Sequence, residues 1–238
     1  MRIKIVPPIP QTEEACRKAQ SAYERAVRAD TEIRVVNISK GPQGLGSCYE
    51  RLLSDFFVLI ESEKAERESF DAFIPACVLE KGSKPLKELL NILVLSTFEC
   101  SMYISSLLGK KISVLALNER EGEVLKEKVR ELGLEFKLAS IRSLNVKPED
   151  GKDAIQKRLK SAGKSAVEKD GADIVVIGCA QLGFEIEKEL REELGVPVIL
   201  PGLVTVKVAE ALIDLGLKQS KKAYPTPPIK IHDFLSIT

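Results

Sequence analysis

Histidine is nearly missing from this chain: His232, close to the C-terminus, is the only one in 238 residues, and there is no tryptophan. A Ser-His-Asp triad is therefore excluded unless the tail folds back into a site, and most histidine-based metal centres are excluded with it. Any acid-base chemistry must come mainly from Cys, Asp, Glu, Lys or Tyr. Cysteine is scarce and odd in number. Five residues with neither CxxC nor another tight pair support neither a disulfide framework nor a zinc site, so reduced thiols are expected. No apolar run approaches ~20 residues, and the opening Met1-Arg2-Ile3-Lys4-Ile5-Val6 reads as a strand rather than a signal sequence. A cytoplasmic protein with no membrane partner is expected. Charge of one sign is missing too: 36 basic and 35 acidic residues leave a net +1, interspersed along helical stretches, so no field favours nucleic acid. The densest basic run, Lys218-Gln219-Ser220-Lys221-Lys222, reads as a solvated helix end. There is no Walker motif, and Gly41-Pro42-Gln43-Gly44-Leu45-Gly46 lacks GxGxxG spacing, so that stretch reads as a turn.

What the chain does contain is ample apolar material, 44% of residues, arranged as short β-rich runs alternating with longer segments of helical period. Four strands are predicted at Arg2 to Val6, Glu32 to Asn37, Ala72 to Cys77 and Ile92 to Leu95. Four more fall at Lys111 to Leu117, Glu135 to Ile141, Ile174 to Gly178 and Val196 to Leu200. Thr12 is placed as a helix N-cap, with Gly109, Gly133 and Gly216 as C-terminal stops. Eight βα units would suit a closed barrel, but each half runs strand, helix, strand, helix, strand and then a cysteine, which favours two domains. The predicted fold is α/β, two pseudo-symmetric doubly wound parallel-sheet domains with the active site in the cleft between them. The second domain (98–204) is inserted in the first (1–97 plus 205–238), to which the helix from Val204 to Leu215 and the tail return.

The repeat itself is the most informative feature. Asp71-Ala72-Phe73-Ile74-Pro75-Ala76-Cys77 and Asp173-Ile174-Val175-Val176-Ile177-Gly178-Cys179 each set an aspartate six positions before a thiol, with an apolar run between and Gly82 or Gly183 in the loop beyond. Ligands of open α/β sheets bind past the carboxyl ends of the strands, where both thiols fall. A lone strand-end cysteine reads as a small hydrophobe; two in register read as a pair of bases for one carbon. With a reference pKa of ~8.5, a thiol can serve as acid or base near neutral pH. Helices opening after Cys77 (from Lys84-Pro85) and after Cys179 (from Gln181) are expected to favour the thiolate through their N-terminal dipoles. Cys16, Cys48 and Cys100 read as core or surface residues, and His232 as surface or packing.

The residues resemble the aspartate/glutamate/hydantoin racemase superfamily, nearest its hydantoin and allantoin racemase branch. The resemblance rests on Val176-Ile177-Gly178-Cys179-Ala180 and on Ile74-Pro75-Ala76-Cys77 followed by Gly82. Glu99-Cys100-Ser101-Met102 leading to Ser106-Leu107-Leu108-Gly109-Lys110-Lys111-Ile112-Ser113-Val114, and Ala209-Glu210-Ala211-Leu212 through Gly216-Leu217-Lys218-Gln219-Ser220-Lys221, extend it over nearly the whole chain. It implies 1,1-proton transfer without cofactor or metal, Cys77 and Cys179 as the acid-base pair, and a homo-oligomer of two-domain subunits. Substrate contacts are expected from Pro8, Val78 and Gly82 beside the first thiol and from Gly178, Ala180 and Gln181 beside the second, backbone amides near Gly178, Ala180 and Gly82 holding carbonyl oxygens. The chain departs from the branch in its first loop, Val6-Pro7-Pro8-Ile9-Pro10-Gln11-Thr12, which lacks an asparagine-rich opening. It departs again at Ala116-Leu117-Asn118, where threonines are usual, and at Glu80 in Val78-Leu79-Glu80-Lys81. A hydantoin or related amino-acid derivative is the leading substrate class. Aspartate/glutamate-type racemisation and non-catalytic binding of a small molecule are the alternatives.

Overall fold

The computed structural model describes residues 1–79, 82–147 and 150–235, so Glu80 lies outside the described residues. The chain forms two compact units, Met1–Thr97 with Thr205–Thr238, and Phe98–Val204. In the first, β1 (Arg2–Val6), α1 (Glu13–Ala26), β2 (Glu32–Val35), α2 (Cys48–Arg67), β3 (Ala72–Pro75), α3 (Ser83–Leu89) and β4 (Leu93–Val94) follow in order. The connecting helix α4 (Thr97–Leu108) then leads to β5 (Ile112–Ala116), α5 (Glu119–Glu131), β6 (Leu138–Ser143), α6 (Lys152–Asp170), β7 (Ile174–Gly178), α7 (Glu187–Leu194) and β8 (Val198–Ile199). α8 (Pro201–Asp214) and the short α9 (Ile231–Leu235) complete the chain.

Each unit is built on a four-stranded parallel sheet, ordered β2-β1-β3-β4 in one and β6-β5-β7-β8 in the other. This is the doubly wound α/β architecture expected. Strands covered on both faces are near-continuous apolar runs, which is why Ile174 to Ile177 and Ile112 to Ala116 are buried without alternation, the one polar residue among them, Ser113, sharing a hydrogen bond with Ser140. Lys4, in the middle of β1 and only 1% exposed, is a charged exception. Its ammonium is tolerated because Glu68 and Glu61 lie 2.9 and 3.7 Å away.

The repeated aspartates prove to be strand-entry clamps at the edge opposite the thiols. Asp71 accepts the Arg2 backbone N–H at 2.7 Å, and Asp173 accepts those of Lys110 and Lys111 at 2.9 to 3.1 Å. Each fixes the start of its unit's neighbouring strand, β1 or β5, against the strand it precedes. For Asp173, burial opposes ionisation, but these donors outweigh it and hold the carboxyl below its usual range.

Several boundaries differ from expectation. Glu135 to Lys137 form a single 3₁₀ turn, so the predicted strand at Glu135 to Ile141 begins at Leu138 and runs to Ser143. Phe136, the apolar residue within that turn, is exposed and does not join the sheet. Thr12 does cap α1, accepting the Ala15 N–H. Gly133 and Gly216 take left-handed φ of +68° and +66°. Gly109 directly follows the last residue of α4 and also serves close approach, because a Cβ there would meet Asp173 Oδ1 at 2.4 Å.

The C-terminal residues are anchored onto the first unit. The run Lys218 to Lys222 is not the end of a helix, since α8 stops at Asp214. The Gln219 side chain accepts the Val94 N–H and donates to the Leu90 and Ile92 carbonyls, while Lys221 Nζ donates to the carbonyls of Lys87 and Glu88 at the end of α3. Polar side chains thus complete an edge strand and a helix terminus that the local backbone leaves open. His232 Nδ1 lies 2.8 Å from Glu63 Oε2, which ties α9 to α2.

Glu210 fastens α8 itself. Burial would raise its carboxyl, yet Lys207, the Arg28 N–H at 2.8 Å and the Thr31 hydroxyl at 2.7 Å donate to it and hold it below its usual range. A carboxyl depressed in the folded state adds stability that is complete above its unfolded pKa and is lost as pH falls through the folded value. Glu210→Ala should cost about 2 to 3 kcal/mol at neutral pH. Urea unfolding should show that difference shrinking as pH drops below about 4.5. A constant difference across that range would contradict the charge-based account.

Candidate functional site

The two thiols lie just beyond the third strand of their own sheets. β1 and β3 pair as far as Val6 and Pro75, and Pro8 and Cys77 each follow two residues beyond those paired strand ends. Cys77 is 7% exposed and accepts the Leu79 N–H at 3.3 Å. Val78 is buried beside it. Gly82 precedes α3 at φ −76°, and the Asp55 side chain lies 3.3 Å from where a Cβ on Gly82 would stand. The first unit therefore brings Pro8, Cys77, Val78 and Gly82 to the carboxyl edge of one sheet. α2 supports this edge: Ser54, fully buried, donates its hydroxyl to the Pro8 carbonyl.

In the second unit Gly178 closes β7 and Cys179 follows directly, with Ala180 buried and Gln181 half-buried. Gly178 is dictated by space, since its Cβ would fall 2.6 Å from the Leu115 carbonyl oxygen. Cys179 is partly exposed. Burial nonetheless pushes its thiol up, Glu121 adds to that, and backbone N–H groups of Gln181 and Leu182 directed at the sulfur pull the other way. The expected helix from Gln181 is absent: residues 180 to 186 form turns, and α7 opens only at Glu187. Donors to this sulfur are thus two individual amides in a turn instead of a helix dipole. Gly183, at φ +89°, lets that turn form.

The other cysteines stay out of these sets. Cys100 is buried, burial pushes the Cys16 thiol up, and Cys48 is exposed at the first residue of α2. Among the described residues no group of three or more His, Cys, Asp or Glu is placed to hold a metal ion, and no helix is long and apolar enough to cross a membrane. Sequence reasoning did not pick out Ser54 or Asp55. The capping box Ser47-Cys48-Tyr49-Glu50, realised by reciprocal Ser47 and Glu50 bonds, marks where α2 begins and hence which side chains reach this edge.

Two α/β units, each built on a parallel sheet with one cysteine just past its third strand, define a protein of two like halves. The match extends to known proteins, and the chain belongs to the Asp/Glu/Hydantoin racemase family, which it matches over residues 9–209. It is 35% identical over 235 residues to a hydantoin racemase of Pseudomonas sp. (strain NS671), covering 97% of this chain and 93% of that one. Among solved structures, allantoin racemase from Klebsiella pneumoniae superposes with a TM-score of 0.90 at 22% identity, over 97% of this chain and 95% of the other. Allantoin racemase from Pseudomonas fluorescens superposes with a TM-score of 0.88 at 27% identity, over 97% and 98%. The chain is an isomerase of the racemase kind.

Proposed function

We propose that this racemase acts on a hydantoin or a closely related cyclic amino-acid derivative, and that it moves the α-proton between Cys77 and Cys179 without a cofactor. The observation that carries the reading is the repeat itself: the same strand-thiol unit occurs twice, and each thiol has a backbone amide aimed at its sulfur. One thiol removes the proton as thiolate while the other delivers one to the opposite face, after which their protonation states are exchanged. Amides near Gly82, Gly178 and Ala180 hold the oxygens on which negative charge develops. The ring carbon is expected about 3 to 3.5 Å from each sulfur at reaction. An uncharged hydantoin has a more acidic α-carbon than a free amino acid, and it needs no partner for an α-ammonium group.

The same reading includes a homo-oligomer. Tyr49, Leu52, Leu53 and Phe56 recur at helical spacing along the outer side of α2 and are all exposed, an apolar stripe suited to a second copy of this chain. Light scattering should give a multiple of the 26.2 kDa chain mass.

The deciding experiment follows optical rotation with optically pure 5-substituted hydantoins, allantoin, aspartate and glutamate, after exhaustive dialysis against a chelator. Hydantoins should lose rotation at an unchanged rate after dialysis, with one solvent deuteron incorporated per inversion. Activity lost to the chelator and restored by metal would overturn the two-thiol proposal, and turnover of free amino acids alone would overturn the substrate class.

A further inference from the structure

Arg51 is a buried cation with no carboxylate counter-ion among the described residues. It is 5% exposed, its guanidinium donates to the Leu45 carbonyl and to Cys48 Sγ, each at 3.0 Å, and its Nε–H meets no acceptor. Among the described residues no carboxylate pairs with it. Lys4, the other deeply buried cation described above, has two. An arginine cannot shed its proton to escape this cost, so a site that keeps one dry and unpaired is complementary to an anion brought from outside.

Its placement says which anion. α2 connects two parallel strands, β2 and β3, so it runs back across the sheet and its N-terminus lies at the carboxyl edge. Arg51 reaches toward that N-terminus, where Leu45 and Cys48 lie, adding to the partial positive charge of a 20-residue helix. One turn further along the same side of α2, Ser54 grips Pro8 and Asp55 leans on Gly82, the two loops that flank Cys77. Glu50, the nearest acid in sequence, bonds Ser47. Gly44, in the loop before α2, has nothing within 4 Å of where a Cβ would stand.

We propose that Arg51 is a specificity-determining residue that takes a carboxylate carried on the substrate's side chain, so that the preferred substrates are hydantoins whose C5 substituent ends in an acid. This rests on the racemase reading and narrows it. A planar guanidinium suits a carboxylate through parallel N–H donors, and a neutral side chain would leave those donors unpaired.

The test compares a hydantoin bearing a carboxyethyl group at C5 with its carboxamide, which keeps the shape and removes the charge. Racemisation by the full chain should favour the carboxylate by about tenfold or more in kcat/KM, mainly through KM. Arg51→Gln should bring that ratio close to one, and Arg51→Lys, which keeps the charge without the fork, should leave an intermediate ratio. Equal turnover of both ligands by the unsubstituted chain would overturn the proposal while leaving the racemase reading intact, and needs no variant to fold. Calorimetric binding separates the two readings in the other direction. Selective, Arg51-dependent binding of the carboxylate without racemisation would uphold the anion site and sink the catalytic reading. A loss in Arg51→Gln that falls equally on both ligands would assign Arg51 to scaffolding and overturn the proposal.

Discussion

Cys77→Ser should lower racemisation about 10²- to 10⁴-fold yet leave one-sided proton exchange alive. A hydroxyl cannot reach its anionic form near neutral pH, so the face served by Cys77 loses its base while the other keeps Cys179. In deuterated water this variant should exchange the α-proton of one enantiomer with retention and fail to invert it. Cys179→Ser should do the same for the opposite enantiomer. The complementarity is the informative part, because general loss of folding would silence both hands alike. Nuclear magnetic resonance of the α-proton, read beside optical rotation, follows exchange and inversion separately. Racemisation at the unsubstituted rate in both variants, or damage confined to Cys100→Ser, would show that these thiols are not the acid-base pair.

Gly178→Ala should be the most damaging single-methyl change in the second unit. The added Cβ would stand 2.6 Å from the Leu115 carbonyl oxygen and 3.0 Å from Ala116 Cα, backbone atoms of the adjacent strand that no rotamer change can move aside. β5 and β7 are hydrogen-bonded over their full lengths and sit at the centre of their sheet, so separating them strains the ladder on both sides. Overpacking of this kind costs about 3 kcal/mol. For a chain of this size that is a fall of about 6 to 12 °C in Tm. Because Cys179 is the next residue, activity should fall further than stability alone accounts for. Gly44→Ala, with open space around it, is the matched control and should melt within about 2 °C of the parent. Equal melting of the two variants would refute the steric account of Gly178.

Much of this architecture was legible beforehand for a plain reason. Buried parallel strands are near-continuous apolar runs, and Ile174-Val175-Val176-Ile177 or Val114-Leu115-Ala116 leave little else to be, so strand number and their grouping in fours followed from pattern alone. The legible errors are local. A helix is expected from Gln181 onward, but Gly183 at positive φ turns the chain instead, and the amides that face Cys179 come from that turn. The aspartate of the repeat drew attention through its spacing from the thiol, while its work is done at the far end of the strand.

By itself, then, the sequence determined the two α/β sheets and the two thiols just beyond matching strands, because each depends on residue type and on spacing within one element. Tertiary structure alone decided what depends on partners distant in the chain. The Lys218 to Lys222 run became a set of caps for β4 and α3, Glu210 became the anchor of α8 through Thr31 and Arg28, and Arg51 became a buried charge with no carboxylate partner among the described residues. A side chain's charge is written in its identity, but whether that charge is solvated, paired or left open to a ligand is set by which other segments fold against it.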